Sequence, residues 1–221
     1  GLGNDALYGN DDNDSISGDE GNDSLFGDAG ADTLKGGAGD DILQAGSGSS
    51  NDLYGEAGHD TLKGGSGHDL ADGGLNNDLI SGAKGDDTLL GDAGNDTLQG
   101  DDGDDSLLGG AGADSLSGGD GDDILQGGLG ADILSGGSGS DTFSYTGENL
   151  GDLPDTITDF ATGKAGDVLD LAALHTASLK TAGDRWSGSE FAYTHGYIRF
   201  AQRGNNTLVQ YDRDGLNGLY N

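Results

Sequence analysis

The sequence predicts an all-β protein, a parallel β-roll closed at its C-terminal end by a β-rich cap. Three features of residues 1–144 predict it: an aspartate recurs at nine-residue intervals, an apolar residue follows two places later, and glycines precede it at nearly fixed places. A short fixed period indicates stacked copies of one structural unit, and it outweighs helix or strand expectations drawn from single segments.

The repeating unit reads Gly-Gly-x-Gly-x-Asp-x-(Leu/Ile)-x, and its residues are called positions 1 to 9 below. In the triplet Thr97-Leu98-Gln99, polar and apolar residues alternate, which predicts a three-residue strand that buries one leucine. The six residues before it, Gly91 to Asp96, are rich in glycine and predict a turn. Two units then form one coil, and about sixteen units form about eight coils in a stack roughly 40 Å long.

Apolar residues at position 8 predict the interior of the roll. Leucine or isoleucine stands there in almost every unit, Ala71 is the small exception, and Phe143 replaces the usual leucine in the last unit. One buried leucine contributes about 1.5–3 kcal/mol, whereas ordering each residue costs roughly 1–2 kcal/mol. An interior this thin cannot hold the fold by itself.

Charge indicates what else stabilises the roll. Residues 1–144 carry 31 aspartates and glutamates against three lysines. Carboxylates and backbone carbonyls are the oxygen ligands that Ca²⁺ prefers, whereas Mg²⁺ gives up its waters reluctantly. If each ion lies between turn n and turn n+2, about sixteen turns allow at most about fourteen ions, whose charge matches that of the repeats. The predicted metal ligands are the position-6 acids Asp5, Asp14, Asp23, Asp32, Asp41, Asp60, Asp69, Asp78, Asp87, Asp96, Asp105, Asp114, Asp123, Asp132 and Asp141.

These residues carry a family resemblance. Gly109 to Ser117 and Gly118 to Gln126 match the unit at every fixed position, and the chain resembles the RTX, or haemolysin-type calcium-binding, repeat proteins. The resemblance covers roughly two thirds of the chain. It implies a parallel β-roll in which the aspartate and alternate carbonyls of each turn bind Ca²⁺ jointly with the turn one coil away.

Some units depart from the pattern. Asp12 and Asn76 replace the position-4 glycine and Ala45 replaces the position-1 glycine. The unit from Ala45 to Tyr54 has ten residues, so the sixth-position acid slips to Asp52, and we expect a bulge and one or two weakened sites there. Acids at position 2 are expected to face solvent; they are Asp19, Asp28, Glu56, Asp92 and Asp101.

The composition changes after Ser144, which predicts two domains, 1–144 and 145–221. The second domain holds most of the aromatic residues and six of the nine basic residues. Apolar runs predict strands at 155–160, 167–171, 196–200 and 206–211, and Leu171 to Leu174 predict a helical turn. Because a stack of coils exposes an apolar end, this domain is expected to cap the roll, beginning at Phe143.

This segment also resembles the C-terminal flank of RTX proteins that leave the cell by type I secretion. The matching runs are Asp141-Thr142-Phe143, Asp155 to Phe160, and Leu169-Asp170-Leu171. In that family an uncleaved export signal lies near the C-terminus, and here part of it is expected to lie beyond Asn221. The start inside a repeat, at Gly1, suggests a piece of a longer protein.

Several function classes are disfavoured. Neither an N-terminal signal peptide nor a transmembrane run stands in the sequence, cysteine is absent, and the acidic charge disfavours nucleic acid and anionic membranes. No catalytic motif stands out, and His59 and His68 fall in consecutive units, on opposite edges of the roll, too far apart to share a zinc ion. We expect no enzyme activity within this chain and a monomer.

Two functions remain open. The first is a calcium-dependent folding and export module of a larger secreted protein, with calcium ions and the type I secretion machinery as partners and an extracellular location. The second is an adhesin or polysaccharide-binding module that presents its outer strand faces.

Overall fold

The computed structural model of the chain shows a parallel β-roll of two facing sheets, as the repeats predict. It describes residues 1–145, 155–161, 166–170, 190–193, 196–203 and 206–212, the last three ranges by backbone alone. The described residues contain strands and turns and no α-helix. The predicted helical turn at Leu171 to Leu174 lies outside the described residues.

Successive units alternate between the two sheets. The strands are β1 (Ala6–Asp11), β2 (Ser15–Glu20), β3 (Ser24–Ala29), β4 (Thr33–Ala38), β5 (Ile42–Ser47), β6 (Asp52–Ala57), β7 (Thr61–Ser66), β8 (Leu70–Leu75), β9 (Leu79–Lys84), β10 (Thr88–Ala93), β11 (Thr97–Asp102), β12 (Ser106–Ala111), β13 (Ser115–Asp120), β14 (Ile124–Leu129), β15 (Ile133–Ser138), β16 (Thr142–Ser144), β17 (Asp155–Ile157), β18 (Val168–Asp170), β19 (Glu190–Tyr193), β20 (Gly196–Arg203) and β21 (Asn206–Asp212). Odd strands up to β17 form sheet one with β21, β20 and β19, and even strands from β2 to β18 form sheet two.

The strands are longer than the sequence predicts. Each strand from β1 to β15 spans six residues, positions 7 to 9 and then 1 to 3 of the next unit, so the prediction of three-residue strands and six-residue turns is wrong. The register shows the reason: Gln99 pairs with Ser117, and pairing resumes at Asp101 and Gly119 beyond the glycine at position 1. Glycine thus interrupts the strand without ending it, and the turn proper contains only positions 4 to 6.

One side chain per unit fills the interior. The side chain at position 8 points inward, and Leu98 is paired with Leu116 and Ile80 in the two neighbouring strands of sheet one. Ala71 is fully buried and thins the interior of sheet two as expected, whereas Leu7 and Ile16 at the open N-terminal end are only half-buried. The fully or nearly fully buried members of this row are Leu25, Leu34, Leu43, Leu53, Leu62, Ala71, Ile80, Leu89, Leu98, Leu107, Leu116, Leu125, Leu134, Phe143 and Ile157.

Left-handed backbone at position 4 explains why aspartate and asparagine can replace glycine there. Asp12 and Asn76, at position 4, have φ of 78° and 76°. Aspartate and asparagine tolerate this conformation better than other residues with a Cβ, because their short polar side chains bond locally. The two substitutions therefore preserve the turn.

The strands beyond Ser144 continue both sheets. Strand β17 pairs in parallel with β15, and β18 pairs in parallel with β16, so the sheets cross the predicted domain boundary. Phe143 is fully buried, and its ring lies 5.9 Å from that of Phe160, centroid to centroid. Strands β21, β20 and β19 then extend sheet one in antiparallel order. The four strand predictions agree with the structure, and β19 was not predicted.

Candidate metal centre

Two rows of acidic side chains run along the two edges of the roll, where the turns stack. We call each row an aspartate ladder, because one position-6 side chain follows another from coil to coil. All the predicted metal ligands lie on these ladders, buried except Asp5 and Asp14 at the open end, which are half-buried. Edge one contains Asp5, Asp23, Asp41, Asp60, Asp78, Asp96, Asp114, Asp132 and Asp155; edge two contains Asp14, Asp32, Asn51, Asp69, Asp87, Asp105, Asp123, Asp141 and Asp167.

One oxygen of each carboxylate fixes the ladder. The backbone N–H of Asp96 donates to Oδ1 of Asp114 at 2.8 Å, and the backbone N–H of Asp105 donates to Oδ1 of Asp123 at 2.8 Å. The same bond repeats from rung to rung on both edges. Because the donor is a backbone group, the bond orients the side chain firmly and leaves the second oxygen, Oδ2, beside the position-1 glycine of the same unit.

That second oxygen has no protein partner along most of both ladders. A buried carboxylate oxygen without a hydrogen bond is costly, and native proteins contain few of them. A whole series therefore demands a ligand that the polypeptide does not supply. Within the part of the chain that the structure describes, the buried Oδ2 atoms without a hydrogen bond include those of Asp14, Asp23, Asp32, Asp41, Asp60, Asp69, Asp78, Asp87, Asp96, Asp105, Asp114, Asp123 and Asp141.

Glycine at position 1 keeps space open beside this oxygen. A Cβ added to Gly91 would lie 2.6 Å from Oδ2 of Asp96 and 2.5 Å from the carbonyl oxygen of Gly109, one coil further on. The same two kinds of oxygen flank Gly100, where an added Cβ would lie 2.1 Å from Oδ2 of Asp105. A carboxylate oxygen and a backbone carbonyl thus face one side-chain-free space, and a methyl group there would collide with both.

Burial raises the pKa of the ladder carboxyls. It raises the pKa of Asp105, Asp114 and Asp123 to about 7 each, because burial disfavours the anion and neighbouring acids on the same edge add repulsion. The pKa of Asp60 rises to about 6 for the same reason, although the backbone N–H of Asp41 opposes the rise. The ionised ladder is therefore unfavourable until a cation offsets its charge.

The donor set fits a hard divalent cation held mainly by the backbone. No three His, Asp or Glu side chains converge on one point among the described residues. Carbonyl oxygens must therefore supply most of a coordination shell, beside one or two carboxylates. Ca²⁺ accepts such all-oxygen shells with flexible geometry, which suits turns built from glycine.

A scan against protein families gives the deciding observation. The model described as RTX calcium-binding nonapeptide repeat, in four copies, matches residues 1–34, 17–52, 46–80, 81–116 and 108–143. The chain belongs to the RTX repeat family. RTX repeats bind Ca²⁺, and proteins that carry them are generally secreted by type I systems. No curated protein matches the chain.

The RTX turns also contain one ladder member that the sequence did not predict. Asn51, and not Asp52, occupies the sixth position of the ten-residue unit: the Asp32 N–H donates to its Oδ1, and Asp52 begins strand β6. The prediction of a displaced Asp52 is wrong, because the extra residue is absorbed before Asn51. In the other units the sixth-position residue precedes the buried apolar residue by two places. Asn51 stands at that distance from Leu53, so this spacing could have identified it.

Asp155 and Asp167 extend the ladders past the last RTX unit. The N–H of Asp132 donates to Oδ1 of Asp155 at 2.9 Å, and that of Asp141 donates to Oδ1 of Asp167 at 3.2 Å. Their spacing departs from the repeat, but each still precedes an apolar residue by two places, as in Asp155-Thr156-Ile157. Oδ2 of Asp167 accepts the N–H of Ala161, so the protein itself satisfies this terminal rung.

Buried groups also surround the last rung of edge one. Tyr145 is 7 % exposed, and burial together with the charge of Asp155 raises the pKa of its hydroxyl above the ordinary value. Burial and the neighbouring Asp132 raise the pKa of Asp155 in turn. The roll therefore contains a buried polar cluster just beyond the last repeat.

Exposed residues form a second, outer row on each edge. His59 lies on edge one beside Asn77, and His68 lies on edge two beside Asp86, so the expectation that they occupy opposite edges is confirmed. The position-2 acids are exposed, also as expected; they are Asp19, Asp28, Glu56, Asp92 and Asp101.

Across the described ranges, no helix is long and apolar enough to cross a membrane.

Proposed function

We propose that this chain is a calcium-dependent folding and export module of a larger protein secreted by a type I system. The observation that carries the proposal is the double row of buried Oδ2 atoms without protein partners. The residues that would hold calcium are the position-6 aspartates predicted from the sequence, together with carbonyls of the facing turns. The number of ions, at most about fourteen for about sixteen turns, belongs to this proposal.

Without cations the repeats resist folding. The chain has a net charge of −32 at pH 7, and most of that charge lies in residues 1–144. Forming the roll would place like charges in adjacent rungs of two ladders and strip water from them. Bound calcium supplies the opposite charge and the missing oxygen partners, so binding energy becomes folding energy.

This coupling suits export. A chain that stays expanded where free calcium is scarce can be threaded through a channel, and it folds where calcium is abundant. Extracellular calcium modules bind at about 10⁻⁴–10⁻³ M, which is the range that such a switch requires. We further propose that the chain itself is not an enzyme, since its ladder carboxylates share one environment, whereas acid–base pairs need two different ones.

Small-angle X-ray scattering during a calcium titration tests the proposal. In a chelator the radius of gyration should approach about 50 Å, the value for an unfolded chain of this length, and it should fall toward about 20 Å in millimolar calcium. Magnesium at the same concentration is the matched control and should leave the chain expanded. A compaction midpoint in the micromolar range or below would contradict the export role, because the module would then fold before it is threaded.

A second candidate function rests on the N-terminal end of sheet one. Tyr8 is 61 % exposed, and its ring stacks on that of Phe26 with centroids 4.8 Å apart. On sheet two, Nζ of Lys35 lies 5.5 Å from the centre of the Tyr54 ring. The exposed ring of Tyr8 and the half-buried rings of Phe26 and Tyr54 support a polysaccharide-binding or adhesive role. A glycan array probed with calcium-loaded chain tests it: binding that Tyr8→Ala abolishes supports the role, and binding to no glycan removes it.

A further inference from the structure

The only ladder position without an acid in the described repeats is Asn51, on edge two. Asn51 is 1 % exposed, as deeply buried as the aspartates on either side of it along the edge, Asp32 and Asp69. Its backbone N–H donates to Oδ1 of Asp69 at 2.7 Å, the bond that every neighbouring rung makes. The series of hydrogen bonds from backbone N–H to Oδ1 therefore continues through this turn, whereas the series of negative charges is interrupted.

Protein groups satisfy both polar atoms of the Asn51 amide. Its Oδ1 accepts the N–H of Asp32 at 2.9 Å, and its Nδ2 donates to Oδ1 of Asp69 at 2.8 Å. The Oδ2 atoms of Asp32 and Asp69 lack such a partner. A neutral side chain with both polar atoms bonded to protein needs no cation, and it contributes no negative charge to attract one.

Ala45 closes the same turn sterically. It stands at position 1 of the Asn51 unit, is fully buried, and carries a Cβ where the other described repeat units have glycine. In the flanking turns of edge two, a Cβ added to Gly27 would lie 2.3 Å from Oδ2 of Asp32, and one added to Gly64 would lie 2.5 Å from Oδ2 of Asp69. The space that stays open in those turns is occupied by a methyl group in this one.

The closure is confined to one turn. The carbonyl oxygen of Ala45 still faces the preceding site, since a Cβ added to Gly27 would lie 2.7 Å from it. Asp32 therefore keeps both its free Oδ2 and its carbonyl partner. On edge one, opposite the interruption, Asp41 and Asp60 both keep free Oδ2 atoms.

We propose that the Asn51 turn is a calcium-free rung, so that edge two carries two separate series of ions, on Asp14–Asp32 and on Asp69–Asp141, while edge one carries one continuous series. The inference rests on the calcium loading proposed above. It assigns the non-consensus pair Ala45 and Asn51 a role, because amide and methyl group together replace an ion by protein contacts. In the folded roll, these contacts join the Asn51 turn to the turns of Asp32 and Asp69 without an ion.

Native mass spectrometry of the calcium-saturated chain tests this by counting bound ions. The double variant Ala45→Gly/Asn51→Asp should bind one more calcium than wild type, because it restores both the carboxylate and the open space. The control Asn77→Asp adds the same charge at an exposed position-5 residue and should leave the count unchanged. Asp69→Asn should bind at least one calcium fewer than wild type, because it converts a neighbouring carboxylate that is proposed to hold an ion into an amide.

A further single variant, Asn51→Ala, covers the case in which the double variant does not fold. Asn51→Ala should bind as many calcium ions as wild type, since its turn holds none, and loss of an ion in this variant would overturn the inference. So would a double variant with the wild-type count, provided that Asp69→Asn still loses an ion; the proposed function would then stand. A wild-type chain that binds no calcium would overturn both the inference and the proposed function.

Discussion

Asp104 and Asp105 are neighbours in one turn, yet they occupy opposite environments. Asp105 is 2 % exposed, whereas Asp104 lies on the outer surface of edge two. Each accepts a backbone N–H from an adjacent coil, Asp105 from Asp87 at 2.7 Å and Asp104 from Asp122 at 2.8 Å. The bonds run in opposite directions along the stack, so the two side chains together tie each turn to the turn before it and the turn after it.

The difference lies in the second carboxylate oxygen. Asp104 as a residue is exposed to solvent, whereas Oδ2 of Asp105 is buried without a partner. Burial raises the pKa of Asp105 to about 7. Residue type alone therefore does not create the demand for a cation. The inner position of the turn creates it, and three kinds of perturbation separate the inner row from the outer one.

The largest expected effect comes from filling the inner space. In Gly118→Ala, the new Cβ would lie 2.0 Å from Oδ2 of Asp123 and 2.6 Å from the carbonyl oxygen of Gly136. Because backbone must shift to relieve this contact, we expect the free energy of unfolding in calcium to fall by about 2–3 kcal/mol. Chemical denaturation measures it. The outward-facing Ser117→Ala should change it by less than about 0.5 kcal/mol; equal effects in the two variants would contradict the account.

A smaller effect is expected from changing inner charge without changing shape. Asp105→Asn keeps an oxygen that can accept the Asp87 N–H but removes the anion, so the calcium concentration at half-folding should rise about tenfold, or about 1.4 kcal/mol. Asp104→Asn is the matched outer control and should shift the midpoint by less than about twofold. Circular dichroism during calcium titration measures both. A control that shifts as much as Asp105→Asn would show that overall charge, and not position, sets the affinity.

The smallest expected effect is that of pH on the ion-free chain. Folding without calcium raises the pKa of Asp105, Asp114 and Asp123 to about 7, above the ordinary value of 3.8, so the folded state binds protons more tightly than the unfolded state. Their contribution to stability is full below about pH 4 and is lost as pH rises through about 7. In chelator, β signal should therefore increase as pH falls from about 8 to about 5.

Calcium should reverse this dependence on pH. Metal binding requires ionised carboxylates, so acidification should weaken the calcium-loaded roll. The measurement is far-ultraviolet circular dichroism against pH, with and without calcium, on the same preparation. Slopes of the same sign under both conditions would show that the inner carboxylates do not control stability.

Periodicity made most of this architecture predictable. Identical units must stack identically, so the row of Leu98, Leu116 and Leu134 and the aspartate ladders follow from the nine-residue spacing alone. Strand length was missed because position 1 glycines look like turn residues, although the chain stays extended through them. Asn51 was missed because its neighbour Asp52 has the expected chemistry, whereas the backbone register decides which of the two is buried.

The ends of the ladders escaped prediction for a different reason. Asp155 and Asp167 lie 23 and 26 residues after the acids that they follow, whereas repeat neighbours are separated by 18 or 19. Variable connections between the last rungs hide the period from the sequence. Only strand pairing in space, β17 on β15 and β18 on β16, shows that the ladders continue.

Anomalous X-ray scattering from a crystal grown in millimolar calcium tests the central claim most directly, that cations along the inner carboxylates hold this roll together. The account predicts a row of calcium peaks on each edge, each peak within coordination distance, about 2.3–2.6 Å, of an Oδ2 atom such as that of Asp105 or Asp114. A folded roll whose inner turns contain no calcium peaks would contradict it.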